Sequence, residues 1–316
     1  MESHLLDENN DTRGMFDVSI KPDTYRVAKA QAILKIDPNT NILINEGKSP
    51  KGDVVEAAKI SATLGAKRTS ELIPYCHPIP IDQVRVEVSI KPEHIEVVVE
   101  VKSVWKTGVE IEALTGACIG VLTIYDMLKP IDNSLSITSV KLLQKSGGMK
   151  DLEIKEKINI KAVVIVVSDS VAGGRRKDKS GNVIVDILRK KGIDVVGYEK
   201  LSDDVNLIED NLKKYCDEPQ VDLILTTGGT GLGPRDVTPE ATMKVIDREV
   251  SGISEASRAY GQRRTPLAMF SRGLAGVRKK TLIINLPGST RAVSEYMDFL
   301  FPSIKHAFKM MEGQGH

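Results

Sequence analysis

KAVVIVVSDS, residues 161–170, opens on a lysine and six consecutive apolar residues, then turns polar at Ser168. A strand covered by helices on both faces reads as such an unbroken run, because neither of its sides meets water. A glycine-containing loop follows, and the spacing then predicts a helix near 180–191, a strand at 194–198, a helix at 205–215 and a strand at 221–226. TLIINLPGS, residues 281–289, supplies another buried strand before a final helix. Strand and helix in alternation predict an α/β fold with a mainly parallel sheet. Ligands of such sheets bind beyond the carboxyl ends of the strands. Ser168, Asp169 and Ser170, the run Gly228, Gly229, Thr230 and Gly231, and Gly288 with Ser289 all fall at those ends.

Upstream of residue 161 the rhythm is different. KGDVVEAAKISATLGAK, residues 51–67, has helical apolar spacing, whereas VRVEVSI (84–90) and IEVVVEV (95–101) alternate apolar with polar. Lys91 to His94 forms a short hairpin connection between them, with Pro92 outside the ladder. A helix from about Val109 to Leu128 is ended by Pro130, and SITSVKLLQKSGG (136–148) reads as a strand running into a glycine turn. This half is expected to be α+β, an antiparallel sheet with helices on one face. At 316 residues the chain is about twice the usual domain length, and the expected domains are 1–155 and 158–316. The charged stretch DLEIKEKINI, 151–160, has no glycine or proline run and suits a short connector.

Composition excludes several classes of function. The formal net charge is +1, so no global field draws the chain to nucleic acid or an anionic membrane, and any anion site must be local. Three cysteines without CxxC spacing, Cys76, Cys118 and Cys216, argue against a disulfide framework or a zinc cage. The first residues are acidic and polar and do not resemble a signal peptide, and no run of 18 apolar residues occurs. A cytoplasmic protein is expected.

Candidate anion ligands collect at the ends of the elements in the first half: Arg26, Lys51, Lys67, Arg68, His77, Lys129 and Lys145. Asp126 and Lys129, three apart near a helix C-terminus, share a face and can reach one substrate atom together. The same spacing also fits an ordinary solvated helix pair. At most one of Glu110 and Glu112 is expected to point where Asp126 does. A carboxylate among ammonium groups keeps its charge, and a lysine beside other cations has its pKa lowered toward that of a general base. Cys76 and His77 are adjacent, which disfavours shared metal ligation, so His77 is expected to contact phosphate or substrate. Cys118 is expected to be plain core.

Five blocks in order, KGDV (51–54), AKRT (66–69) running on to IPYCHP (73–78), KTGVEIEALT (106–115), TIYDMLK (123–129) and LLQKSGG (142–148), resemble cyclic pyranopterin monophosphate synthase. That family converts a cyclised dihydroguanosine triphosphate into cyclic pyranopterin monophosphate and releases pyrophosphate. The resemblance implies a ferredoxin-like fold and an active-site Asp126 with Lys51 and Lys129 beside it. It also implies substrate contacts from Tyr75, Cys76, His77, Ile111 and Glu112, and matches at Asp17, Arg26, Lys67, Arg68 and Lys145. It implies a hexamer, a trimer of dimers with active sites at subunit boundaries. A triphosphate brings about four negative charges, so several cationic side chains are needed to hold it and to stabilise the departing pyrophosphate.

In the second half TTGGTGLGPRDVTPEAT, 226–242, is the most chemically loaded stretch. Its glycines let backbone approach an anion, and Thr238-Pro239 opens a helix whose N-terminus is partly positive. It has neither the GK[ST] of a Walker loop nor GxGxxG spacing. Together with VSDS (167–170), LSDD (201–204), DREVSGI (247–253) and NLPGS (285–289), it resembles the molybdopterin adenylyltransferase family and its molybdopterin-binding fold. That family, commonly trimeric, transfers AMP from ATP to the terminal phosphate of molybdopterin with magnesium. The resemblance maps its two chief aspartates to Asp203 and Asp236, both expected magnesium ligands, with Arg235, Ser168 and Ser289 as lesser contacts. No tightly bound organic cofactor is expected. A catalytically silent pterin-binding or trimerising module is the alternative that this reading leaves open.

Overall fold

The computed structural model describes residues 14–148, 151, 159–217 and 221–313. Of the expected connector, residues 152–158 lie outside the described residues. The chain divides into two compact units, Met1–Leu152 and Glu153–His316.

Strands β1 (Thr24–Lys35), β2 (Gln83–Ile90), β3 (His94–Trp105) and β4 (Ser136–Gly147) of the first unit form one antiparallel sheet in the order β2-β3-β1-β4. With helix α1 (Pro38–Asn45), α2 (Val54–Lys67), the single turn α3 (Thr69–Leu72) and α4 (Glu110–Leu128), the order is that of a ferredoxin-like split βαβ arrangement. β1 escapes sequence-level notice because its inward residues are Ala28, Ala30, Ala32 and Leu34, and alanine carries little β propensity. Those small side chains and Val97, Val99 and Val101 of β3 make a low floor on which α4 rests. α2 and α4 approach closely through Ala58, Ala62, Ala66, Gly116 and Gly120, and a Cβ on Gly116 would stand 2.9 Å from the carbonyl oxygen of Ala62. Asp53 caps α2 by accepting from the amides of Val55 and Glu56. Over 18 residues α4 has a mean hydropathy of 1.5, long and apolar enough by composition to cross a membrane, yet half of that window is buried inside its unit.

In the second unit β5 (Lys161–Val167), β6 (Asp194–Leu201), β7 (Leu223–Thr227), β8 (Arg248–Glu249), β9 (Ala275–Arg278) and β10 (Thr281–Leu286) lie in the order β6-β5-β7-β10-β9-β8. β6, β5, β7 and β10 are parallel, and the short β9 and β8 add an antiparallel edge. The six-residue apolar run of β5 is buried on both sides as its sequence requires. One face is covered by Ser180–Lys190 and the 22-residue helix Thr290–Met311, the other by Val205–Asp217 and Thr238–Val245.

Candidate functional site

At the C-terminal end of α4 the Asp126 carboxylate stands between two ammonium groups, with Lys51 Nζ 2.6 Å from Oδ2 and Lys129 Nζ 2.7 Å from Oδ1. Lys51 arrives from the loop just before the Asp53 cap, and Lys129 is the residue that ends α4, where a cation also meets the negative end of the helix dipole. Lys129 and then Lys51 hold the Asp126 carboxyl down at about 2. The expectation of a lysine with lowered pKa is corrected: Lys129 is pushed up, because its nearest neighbour is an anion and not another cation.

The other end of α4 holds a second group. Glu112 is buried at 2% exposure, its Oε1 accepts from Cys76 Sγ at 3.4 Å, and its Oε2 has no hydrogen-bond partner among the described residues. Burial pushes the Glu112 carboxyl up, and burial beside that carboxyl pushes the Cys76 thiol up to about 12. A cavity of about 250 Å³ opens there, lined among others by Lys67, Ser70, His77, Pro78 and Glu112. His77 Nε2 lies 2.8 Å from the carbonyl oxygen of Phe16, while Tyr75 and Ile111 stand exposed nearby in sequence. Glu112 and Asp126 are fourteen residues apart on one helix, which separates them by about 21 Å. Neither Glu110 nor Glu112 therefore points where Asp126 does, within the expectation that at most one would; Glu110 instead lies 3.4 Å from Lys145.

Other anion candidates are committed elsewhere. Arg26 donates to the carbonyls of Trp105, Lys106 and Gly147, tying the ends of β1, β3 and β4 together, and burial lowers its pKa. Arg68 lies 4.0 Å from Glu71 on the solvent side. Asp17 accepts from the amide of Ser19. Cys118, expected in the core, is half-buried.

In the second unit the carboxyl ends of four adjacent parallel strands bring their loops together: Asp169 after β5, Asp203 after β6, the glycine run after β7, and Gly288 with Ser289 after β10. Asp169 and Asp203 exchange bonds, the amide of Asp169 donating to Asp203 Oδ2 at 2.8 Å and the amide of Asp203 donating to Asp169 Oδ1 at 3.0 Å. Gly228 has φ +97°, and a Cβ there would sit 2.2 Å from the carbonyl oxygen of Val167, so only glycine lets the loop fold over the end of β5. Asp236 Oδ2 accepts from the amide of Gly233 at 2.8 Å, which turns this carboxylate back into the loop. Burial, with Asp169 and Asp236 nearby, pushes the Asp203 carboxyl up.

Thr230 is buried and its carbonyl accepts from the amide of Arg272. Ser168 Oγ pairs with Ser170 Oγ at 3.0 Å, and Ser289 Oγ caps the last helix by accepting from the amide of Ala292. Sequence reasoning missed Arg272, which donates to the carbonyls of Gly231 and Asp236 and to the Glu240 carboxylate and so staples the glycine loop. It lies in an irregular stretch with no periodic signal. It also left Asp169 without a role, although its place directly after β5 marks it as a carboxyl-end residue. No group of three or more His, Cys, Asp or Glu able to hold a metal alone occurs among the described residues. Two carboxylates with phosphate oxygens and waters nevertheless suit magnesium, which rarely takes an all-protein cage.

The MoaC family model matches residues 15–148, and a model described as a probable molybdopterin binding domain matches 163–306. A molybdenum cofactor biosynthesis bifunctional protein of Chlorobaculum tepidum is 37% identical over 316 residues, covering 100% of both chains. A cyclic pyranopterin monophosphate synthase of Cereibacter sphaeroides is 48% identical over 136 residues, 42% of this chain and 86% of its own. The solved molybdopterin biosynthesis enzyme MoaB from Thermus thermophilus is 42% identical, covers 49% of this chain and 97% of its own, and has a TM-score of 0.47.

Proposed function

The chain belongs to the bifunctional molybdenum cofactor biosynthesis proteins, and from that premise we propose that its two units carry two separate reactions at the two sites described above. The first unit is a cyclic pyranopterin monophosphate synthase domain, and Asp126, Lys51 and Lys129 are its reacting groups. The observation that carries this reading is the pair of ammonium groups on one carboxylate, 2.6 and 2.7 Å away. An incoming triphosphate competes with Asp126 for both lysines. As the lysines turn to the phosphates, they stabilise the departing pyrophosphate, and Asp126 loses the contacts that suppress its basicity and can accept a proton. The cavity at Glu112, with Lys67, His77, Cys76, Tyr75 and Ile111 at or beside it, is the candidate binding site for the pterin part.

With Glu112 and Asp126 about 21 Å apart along α4, a substrate touching both groups needs them from two copies of the chain. That supports a homo-oligomer with shared sites, the hexamer built as a trimer of dimers. A mixing experiment tests it. Asp126→Asn and Glu112→Ala chains, each inactive, should regain roughly a quarter of wild-type activity when co-expressed, as random pairing into dimers with two shared sites requires. Activity no greater than that of the separate variants overturns the shared site.

For the second unit the reading is adenylyl transfer: a phosphate oxygen of molybdopterin attacks the α-phosphorus of ATP, and the bond to pyrophosphate breaks. Asp203 and Asp236 would hold magnesium, which supplies charge neutralisation of the phosphate chain. Purified full-length chain should form adenylylated molybdopterin only with ATP and magnesium present. Binding of molybdopterin without transfer would establish the silent module instead.

A further inference from the structure

Asp169 takes no part in either proposed reaction, yet it is the most heavily bonded carboxylate at the strand ends. Its Oδ1 accepts from the amide of Asp203 at 3.0 Å and from Arg235 Nη2 at 3.0 Å, and its Oδ2 accepts from Arg235 Nε at 3.1 Å. With both oxygens engaged, Asp169 is a poor candidate for a metal ligand. Arg235 is 63% exposed in its side chain, reaches back from the glycine loop to the end of β5, and lies close enough to Asp203 and Asp204 to feel their charge. Nη1 of this guanidinium makes no hydrogen bond to any described residue. The bidentate grip thus fixes the plane of the guanidinium and leaves one amino group to meet an arriving anion.

We propose that Asp169 is a positioning residue, holding Arg235 at the mouth of the carboxyl-end cleft as a ligand for the phosphate chain of a nucleoside triphosphate. The inference rests on the adenylyl-transfer reading for its ligand class. With Nε and Nη2 held by Asp169, Nη1 is the charged donor left to the ligand, and phosphate oxygens accept strong charge-assisted bonds from it, whereas a neutral pterin ring gains no such charge assistance.

The test is binding of α,β-methylene ATP, which cannot give up its adenylyl group, to full-length chain with magnesium, followed by calorimetry. Arg235→Ala should weaken binding about tenfold or more, as loss of charge-assisted bonds does. Arg235→Lys should be nearly as weak, since an ammonium keeps the charge but cannot be gripped at two points. Asp169→Asn retains an oxygen for the amide of Asp203, and should weaken binding without lowering the thermal midpoint. The double variant Asp169→Asn/Arg235→Ala should bind no more weakly than Arg235→Ala alone. Guanidinium ion added at millimolar concentration should restore binding to Arg235→Ala and not to the double variant.

Wild-type affinity in Arg235→Ala or Arg235→Lys, or losses that multiply in the double variant, overturns the proposal. If these variants weaken binding as expected but wild-type chain transfers no adenylyl group from ATP, the positioning role stands and the transferase reading falls. If wild-type chain does not bind the analogue, both fall.

Discussion

Asp126 and Asp203 are the same residue type, each at the end of a secondary-structure element, yet their surroundings push them in opposite directions. Asp126 is exposed and flanked by Lys129 and Lys51, so its carboxyl is held at about 2. Asp203 is half-buried, faces Asp169 and Asp236, and is pushed up. A carboxylate already neutralised by lysines is ready for a substrate that brings its own negative charge and competes for them. A carboxylate crowded by other carboxylates instead carries a repulsion that a cation would relieve, as the proposed magnesium role requires. The two carboxylates thus start from opposite electrostatic surroundings, whichever of the proposed reactions each serves.

The largest effect expected from breaking this contrast is at Asp126. Asp126→Asn should lower pyranopterin formation by about 10²- to 10⁴-fold, the usual cost of losing an acid–base group, while adenylyl transfer stays within about twofold. Near-normal turnover would remove Asp126 from the chemistry. Next in size, Gly228→Ala forces a methyl against the carbonyl oxygen of Val167, 2.2 Å from the ideal Cβ position. It should destabilise the second unit by about 1–3 kcal/mol, visible in its denaturation midpoint. An equal shift in the midpoint of the first unit would show that the two units do not unfold independently. Asp53→Ala removes the cap of α2 that sets the approach of Lys51, and should cost about 1 kcal/mol in the first unit. No change in stability would mean that the cap bonds of Asp53 to Val55 and Glu56 contribute nothing.

The smallest effect sharpens the comparison most. Because the Asp203 carboxyl is raised in the folded state, its contribution to stability is fully present below the unfolded chain's value and is lost as pH rises through the raised folded value. Asp203→Asn should therefore leave the metal-free second unit as stable as wild type or more so at pH 7, with the difference shrinking on acidification. Asp169 has the opposite sign: Arg235 depresses it, so its contribution is present at neutral pH and disappears as pH falls through its lowered value. Urea denaturation of Asp203→Asn at pH 7 and pH 4 measures the first. Destabilisation at pH 7 would show that Asp203 is not penalised as its surroundings imply.

Periodicity was legible where the repeating buried positions carry strongly apolar side chains. The run at 161–167 revealed a strand covered on both faces, and the alternation at 84–90 and 95–101 revealed one covered on a single face. β1 was not legible, because its inward positions are mostly alanine and look neutral in any pattern. β8 and β9, of two and four residues, are too short to show a period. Within the sites, Asp126 with Lys129 was readable because helical geometry ties residues three apart, a local fact. Arg272 was not, since its partners lie 32 to 41 residues away.

The sequence by itself determined the two-unit organisation, the classes of both folds, and the motifs that carry family resemblance, because each depends on spacing within a few turns or on the order of blocks. Only the tertiary structure decided which charges meet. It spent Arg26 on backbone carbonyls, gave Arg235 to Asp169, and brought Lys51 from 75 residues away onto Asp126 beside Lys129. Such long-range side-chain partners are fixed by which loops the sheet order brings together, and that is not encoded in local spacing.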